Sequence, residues 1–270
     1  MASINKIAIL GGGNMGLAFA RGLVKSGKFK PEQITLTRRM LRNVEAIQAE
    51  GFPATRDNAE AIKGADAIIL AVLPQQVNNV LEDIKATVDV SSQFIISLIS
   101  GVTSSDIKGY LNAKIPVVIA MPNTAIAIQQ SMTCIAASNS DKKYIDIATE
   151  LFNTVGETVT IDEGQMTAAT ALCACGVAFF LRSIRAASQG GTEIGFHSHD
   201  ALKMAVQVAR GAAELLHQHN SHPEDEIDKV TSPKGCTIAG LNEMEHQGFS
   251  SAMIKGIILA NDKAGTLYKK

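Results

Sequence analysis

The stretch AILGGGNMG, residues 8–16, decides the fold. Ala8, Ile9 and Leu10 close a short apolar run of strand character. Glycines at 11, 13 and 16 follow as G-x-G-x-x-G, and a helix is expected from Asn14 to Ser26. Each glycine has its own reason: Gly11 permits the tight turn, Gly13 lets backbone amides approach a pyrophosphate, and Gly16 lets the helix lie close to the strand. The helix N-terminus, opened by Asn14 and Met15, then presents free N–H groups and a positive dipole end to phosphate. The pattern predicts a dinucleotide site. The competing reading is a merely tight strand-to-helix connection.

Outward from this turn, the first 160 residues alternate. KIAIL, QITLT, DAIILAVL, FIISLIS, IPVVIAM, MTCIAA and ETVTI read as strands. Helices are expected over 40–50, 76–88, from Thr103, and over 140–155, the last with Ser140 as N-cap and Asp141 in its first turn. Short β-branched runs interleaved with helical ones mean βαβ units and a mainly parallel sheet. After about Asp162 the strand signal stops, and helices are expected over 163–188, 198–219, 223–230, 237–247 and 250–267, with Ser198 as an N-cap. The sequence therefore divides into an α/β, doubly wound Rossmann-like domain over 1–161 and an all-α domain over 162–270.

The second strand indicates which nucleotide. An NAD site wants an acid some ~20 residues past the glycines to hold the ribose 2′-hydroxyl. No acid lies between Glu32 and Glu45; Thr37, Arg38 and Arg39 stand there instead. A hydroxyl and guanidinium groups suit a 2′-phosphate, so NADP(H) is expected over NAD(H). The alternative is two solvated arginines.

Composition narrows the class. Of 270 residues, Lys plus Arg number 25 and Asp plus Glu 26, a balance giving no electrostatic reason to expect a nucleic-acid or membrane partner. Four cysteines (Cys134, Cys173, Cys175, Cys236) make no disulfide framework in a chain this long, and reduced thiols in the cytoplasm are expected. MASINKIAIL has no basic segment or cleavage site and does not read as a signal peptide. The longest uninterrupted apolar run, Ala171 to Leu181, falls short of the ~18 residues a membrane span needs.

That run contains TALCACGVAFFL, residues 170–181. Met166, Thr170, Cys173, Val177, Phe180 and Ile184 form one stripe at steps of three and four, while Ala171, Cys175, Ala178 and Phe179 fill the other faces. A helix with no wet side is covered all round, and a domain this small rarely surrounds one of its own helices, so a second subunit is expected to supply part of the cover. Cys173 and Cys175 lie about 200° apart on an α-helix, poor for one metal ion, and they read as packing residues rather than ligands or a redox pair. His217, His219 and His222 in HQHNSH fall at a helix end and read as surface, not metal, residues.

Ahead of a later helix, TSPKGCTIAGLNE (231–243) combines Ser, Thr, Pro and Gly, a composition able to turn amides and hydroxyls around a carboxylate. An ordinary helix cap is the alternative. With this loop, GGGNMG, DNAEAIKGADAIILAVLPQQV, MPNT at 121–124 and SPKGCTIAGLNEME occur in order, and over nearly its full length the chain resembles pyrroline-5-carboxylate reductase, the NAD(P)H enzyme of the last step of proline biosynthesis. The resemblance implies a Rossmann-like domain followed by a helical dimerisation domain, and rings of dimers. It implies that Ser232, Gly235, Cys236 and Thr237 hold the substrate carboxylate, with the Thr237 hydroxyl also reaching the ring nitrogen. Thr170 would lie beside the substrate, with Cys175 and Gly176 near it. Asn58, Ala71, Val72, Leu73, Pro74 and the turn of Met121, Pro122, Asn123 and Thr124 would line the cofactor. No metal is required, because a protonated cyclic imine is already electrophilic and needs holding rather than activating.

The chain departs from the family pattern, which usually has Ser-Gly-Ser-Gly-Pro over 173–177, a glycine at Lys234, a lysine at Leu73 and an arginine at Ile119. These changes bear on substrate and turnover. They keep open an NADP(H)-binding regulatory protein without turnover, or a reductase of a different imino or β-hydroxy acid. Against the β-hydroxyacid dehydrogenases stands the absence of any lysine from Glu163 to Ser188.

Overall fold

The computed structural model describes residues 4–266 of the chain. The expected end of the last helix at Leu267, like the first three residues of the N-terminal segment, lies outside the described residues. Strands form where β-branched runs sit between turn signals: β1 (Ile7–Leu10), β2 (Ile34–Thr37), β3 (Ala54–Thr55), β4 (Ala67–Leu70), β5 (Phe94–Ser97), β6 (Val117–Met121), β7 (Ser131–Ala137) and β8 (Gly156–Thr160). They make one sheet in the order β3-β2-β1-β4-β5-β6-β7-β8. Neighbours are parallel except for β6 and β7, so β7 and β8 run against the rest.

The interleaved helices are α1 (Asn14–Lys25), α2 (Leu41–Ala49), α3 (Asn58–Ala61), α4 (Val77–Ile84), α5 (Ser104–Leu111) and α6 (Lys143–Phe152). The strands show why both faces need covering. Ala8 and Leu10 of β1, with Ile68 and Leu70 of β4, join one core beside α4 and α5. The alternate residues Ile7, Ile9, Ala67 and Ile69 join the other, beside α1 and α6. Side chains point to opposite faces along a strand, and a parallel sheet wants helices on both. The second core is tightened by Phe19 and Phe152, stacked with ring centroids 4.5 Å apart. Burying a side chain of that size contributes about 2–3 kcal/mol.

The strand order reverses between β1 and β4, with crossovers leaving in opposite directions. In open α/β sheets the crevice at the carboxyl ends of such strands is where ligands bind. Gly11 comes directly after β1 and Ala71 directly after β4, so the glycine-rich turn and the 71–74 segment share that crevice.

The chain divides into two compact units, residues 1–175 with 260–270, and residues 176–259. The last strand ends at Thr160; α7 (Met166–Ala169) and the segment to Cys175 remain compact with the sheet, Met166 and Ala169 being part of its core. The second unit is helical: α8 (Gly176–Glu193), α9 (Ser198–His219), α10 (Pro223–Lys229) and α11 (Cys236–His246), with most of α12 (Phe249–Ala264). Within it α8 and α9 form a hairpin so close that a methyl group on Gly191 would meet the Ala201 Cβ at 3.1 Å. Ala201 is the one apolar side chain between 176 and 259 that is fully buried; Phe180, Leu181, Phe196, Val208 and Ile254 are all exposed. Taken alone, this unit has no core of its own.

Three local expectations are corrected. Ser198 is the first residue of α9 rather than its cap: His197 occupies the cap position, and no side chain bonds there. Ser140 lies inside a short 3-10 turn, Asn139–Asp141, ahead of α6. Asp141 is recruited elsewhere, accepting from the Lys108 ammonium, the Val117 amide at 3.2 Å and the Ser138 hydroxyl at 3.0 Å. Burial alone would raise its pKa, but these donors outweigh it and hold the carboxyl below its ordinary value. The long helix is also longer than expected, continuous from Glu163 to Glu193. Its 31 residues, with a window of mean hydropathy 1.6, are long and apolar enough by length and composition to cross a membrane, although no uninterrupted apolar run within it is.

Candidate functional site

The glycine-rich turn is built by collision. Gly11 has φ +109°, and a methyl there would strike the Ala71 carbonyl. A methyl on Gly16 would strike the Gly11 carbonyl and sit 3.0 Å from Ile9. Gly13 differs: the atom nearest to an added methyl is the Arg38 guanidinium, 3.4 Å away. Space over the turn is thus free of protein except for a cation. Asn14 and Met15 open α1, whose first turn contains no acid. A missing Cβ and an uncompensated helix N-terminus converge on one place and fit a pyrophosphate, with the Arg38 guanidinium beside it.

Thr37 is buried behind this turn. Its hydroxyl accepts the Gly11 N–H at 3.2 Å and its carbonyl accepts the Gly12 N–H at 2.8 Å. The hydroxyl expected to face a 2′-phosphate is thus taken, as acceptor, by the turn itself. The two arginines also part company. Arg38 leans over Gly13, whereas Arg39 lines a cavity of about 650 Å³ with Thr55, Arg56, Asp57, Asn58 and Asp83. Arg56, which no sequence motif marks, stands there too. Its signal lay in the pairing of β3 with β2, Thr37 opposite Thr55, which brings the residues after each strand side by side. The two acids of the cavity are engaged, Asp57 capping α3 through the Glu60 N–H at 3.0 Å and Asp83 accepting from Asn58 at 2.8 Å.

At the other side of the crevice, Ala71 stays in the ladder, its N–H donating to the Leu10 carbonyl at 2.9 Å. Val72 is half-buried, Leu73 is 64% exposed and Pro74 starts a 3-10 turn. Met121 and Pro122 are buried where β6 ends. Asn123 is engaged on three sides: its N–H donates to Ser131 Oγ (3.1 Å), its Oδ1 accepts the Ala125 N–H (3.0 Å) and its Nδ2 donates to the Cys173 carbonyl (3.2 Å). It braces the turn onto the long helix, and Thr124 begins the next 3-10 segment.

The long helix holds a second surprise. Residues Thr170–Cys175 form a π-helical turn. Its start coincides with the Thr170 hydroxyl, which donates to the Met166 carbonyl at 2.9 Å and so competes with the regular ladder. An inserted π turn rotates the rest of the helix out of a 3.6-residue period. The expected stripe splits: Met166 and Cys173 pack on the sheet core and Thr170 is buried, whereas Phe180 is 65% exposed. Such turns occur frequently at functional sites, and Thr170, Cys175 and Gly176 all lie in or beside this one. Cys173 packs on the sheet core, and its Sγ lies 3.7 Å from that of Cys134 on β7. Among the described residues no group of three or more potential ligands could hold a metal ion. His222 caps α10, its Nδ1 accepting the Glu224 N–H at 3.3 Å.

In the helical unit, Ser232, Pro233, Lys234 and Gly235 form a β-turn closed by the Gly235 N–H on the Ser232 carbonyl at 2.9 Å. Proline second and a left-handed third residue, Lys234 at φ +61°, make it type II, a turn that prefers glycine third. Gly235 cannot be replaced cheaply, since an added methyl would lie 2.5 Å from Ser232 Oγ. Cys236 and Thr237 then open α11 with no side-chain cap and no acid in the first turn. This helix end has positive character, with a serine and a threonine beside it, and can hold a small carboxylate.

Known proteins share this plan. A family model described as pyrroline-5-carboxylate reductase dimerisation matches residues 163–267, and one described as NADP oxidoreductase coenzyme F420-dependent matches residues 6–101. Pyrroline-5-carboxylate reductase 1 of Dictyostelium discoideum is 50% identical over 276 residues, which cover 98% of this chain; the chain spans about half, 50%, of that relative's length. Pyrroline-5-carboxylate reductase 2 of the same organism is 47% identical over 96% of this chain and 91% of its own length. Among solved structures, a pyrroline-5-carboxylate reductase from Coxiella burnetii is similar with a TM-score of 0.91 at 28% identity, covering 99% of this chain and 100% of that one.

Proposed function

Because the chain belongs to the pyrroline-5-carboxylate reductase family, we propose that it reduces 1-pyrroline-5-carboxylate to L-proline with NADPH. The observation that carries the substrate half of this reading is the start of α11, a helix N-terminus without acid or cap behind the Ser232–Gly235 turn. Bound NADPH supplies the hydride. The chain's own residues bind and orient. The backbone amide at Cys236, left open by the bare turn at Gly235, holds the carboxylate with the Ser232 and Thr237 hydroxyls, and the Thr237 hydroxyl steers the ring nitrogen. Thr170, Cys175 and Gly176 flank the ring.

On the cofactor side, Gly11, Gly13, Asn14, Met15 and Gly16 receive the pyrophosphate. Arg38 and Arg39 select the 2′-phosphate, with Thr37 supporting the turn. Asn58, Ala71–Pro74 and Met121–Asn123 line the remainder. NADH is the weaker alternative. The protein is a homo-oligomer; the dimer, or a ring of dimers, covers the bare helical unit, and the enzyme works as a soluble protein in the cytoplasm. The test is NADPH oxidation by purified protein with the cyclic imine, together with detection of proline. Tight NADPH binding without turnover on any cyclic imino acid would instead establish a regulatory protein.

A further inference from the structure

The two sulfurs facing each other between β7 and the π-helical turn have no part in imine reduction. Cys134 is 3% exposed on β7, in the sheet core, and Cys173 is half-buried on the turn. Neither is in a disulfide, and their Sγ atoms stand 3.7 Å apart. A disulfide needs about 2.0 Å between sulfurs, so the two sulfurs must move closer for the bond to form. Cys173 lies within the π-helical turn Thr170–Cys175, a local irregularity of the long helix. The pair is also chemically polarised. The Cys173 thiolate, accepting the Cys134 S–H, is held below the ordinary thiol range at about 7. The same hydrogen bond, burial and the neighbouring negative charge push the Cys134 thiol up. A thiolate that reacts beside a thiol that resolves is what reversible oxidation requires.

We propose that Cys134 and Cys173 are a peroxide-responsive pair whose disulfide fixes the π-helical turn against β7 and slows substrate reduction. The Cys173 thiolate attacks a hydroperoxide oxygen, breaking the O–O bond and releasing hydroxide, or the alkoxide of an organic peroxide, to give a sulfenic acid. The Cys134 sulfur then attacks the sulfenic sulfur, its proton and the hydroxyl leave as water, and the S–S bond forms. Two thiols are oxidised by two electrons and the peroxide is reduced by two. The turn carries Thr170 and Cys175, and its Cys173 carbonyl is held by Asn123 at 3.2 Å, so a new covalent tie moves the substrate-side groups while leaving the glycine-rich turn untouched. The effect on turnover rests on the reductase reading; the bond itself does not.

The experiment treats the full-length protein with hydrogen peroxide and maps peptides by mass spectrometry without reduction. The expected product is a cross-linked pair containing Cys134 and Cys173 that has lost two hydrogens and is split by dithiothreitol. It is absent in Cys173→Ser and in Cys134→Ala but retained in Cys175→Ser. In parallel, kcat/KM for the imine falls about tenfold, as misplacement by a fraction of an ångström can cause, and returns on reduction. No cross-link, or one joining Cys175 or Cys236 instead, overturns the pairing. A cross-link that leaves kcat/KM unchanged overturns its regulatory role. A protein without turnover before treatment refutes the reductase reading, while the cross-link still decides whether the pair exists.

Discussion

The chain contains two anion cradles at helix N-termini, and they are built in opposite ways. The turn at Gly11–Gly16 is walled in by other elements: Ala71 from the end of β4, Ile9 from β1 and the Arg38 side chain from the residue after β2 all stand within contact of an added methyl. The turn at Ser232–Gly235 is built from itself. Its closest approach is Gly235 to Ser232, its hydrogen bond is internal, and Lys234 is exposed. A loop pinned from outside cannot change, whereas one that supports itself can drift. The first matches its pattern at every glycine, and the second carries a lysine in a left-handed conformation.

The contrast can be broken most decisively at Gly11. Gly11→Ala meets both the Ala71 carbonyl and a φ forbidden to alanine, and should lose about 3 kcal/mol of stability together with measurable NADPH binding. A folded variant with unchanged affinity by titration calorimetry would mean that the first cradle is as forgiving as the second. Thr237→Ala, at the self-built cradle, should lower kcat/KM for the imine by about a hundredfold and leave NADPH affinity alone; equal loss of both would remove its assignment to substrate.

Asp141 serves as a control that belongs to neither cradle. Asp141→Asn should destabilise the protein by about 2 kcal/mol, seen in urea melts. The folded carboxyl has a depressed pKa, so its contribution is complete above the unfolded value near ~3.9 and is lost as pH falls through the lower folded value. The stability difference between wild type and Asp141→Asn should therefore shrink in acid. A smaller effect is expected from Arg38→Ala with Arg39→Ala, which should reduce the preference for NADPH over NADH about tenfold through the loss of charge-assisted contacts. Unchanged preference would dismiss both arginines as solvated surface. Smallest is Lys234→Gly, which relieves the left-handed lysine and should raise stability by about 0.5–1 kcal/mol; a fall would show Lys234 making a contact that outweighs its strain.

Much of the sheet was legible because its signal is local. Ile7 to Leu10 or Ala67 to Leu70 could hardly be anything but a buried strand, and the three glycines specify their own turn. What escaped depends on distance or on competition. β3 is only Ala54–Thr55, too short for any periodicity, yet its pairing sets Arg56 beside Arg39. The π-helical turn begins where the Thr170 hydroxyl bonds the Met166 carbonyl, a departure that apolar spacing does not record. Cys134 and Cys173 meet across thirty-nine positions of chain, a contact that spacing along one helix does not register. Lys234, by contrast, could be seen: proline followed by a residue where glycine is preferred already marks a strained turn.

The uncovered face of the helical unit has a thermodynamic consequence. A segment whose apolar side chains, from Phe180 to Ile258, stay open in the single chain gains its cohesion only when copies meet. Such a protein has no fixed melting point: dilution should lower it and concentration raise it. Abundance in the cell then becomes a determinant of how much of the chain is folded at all.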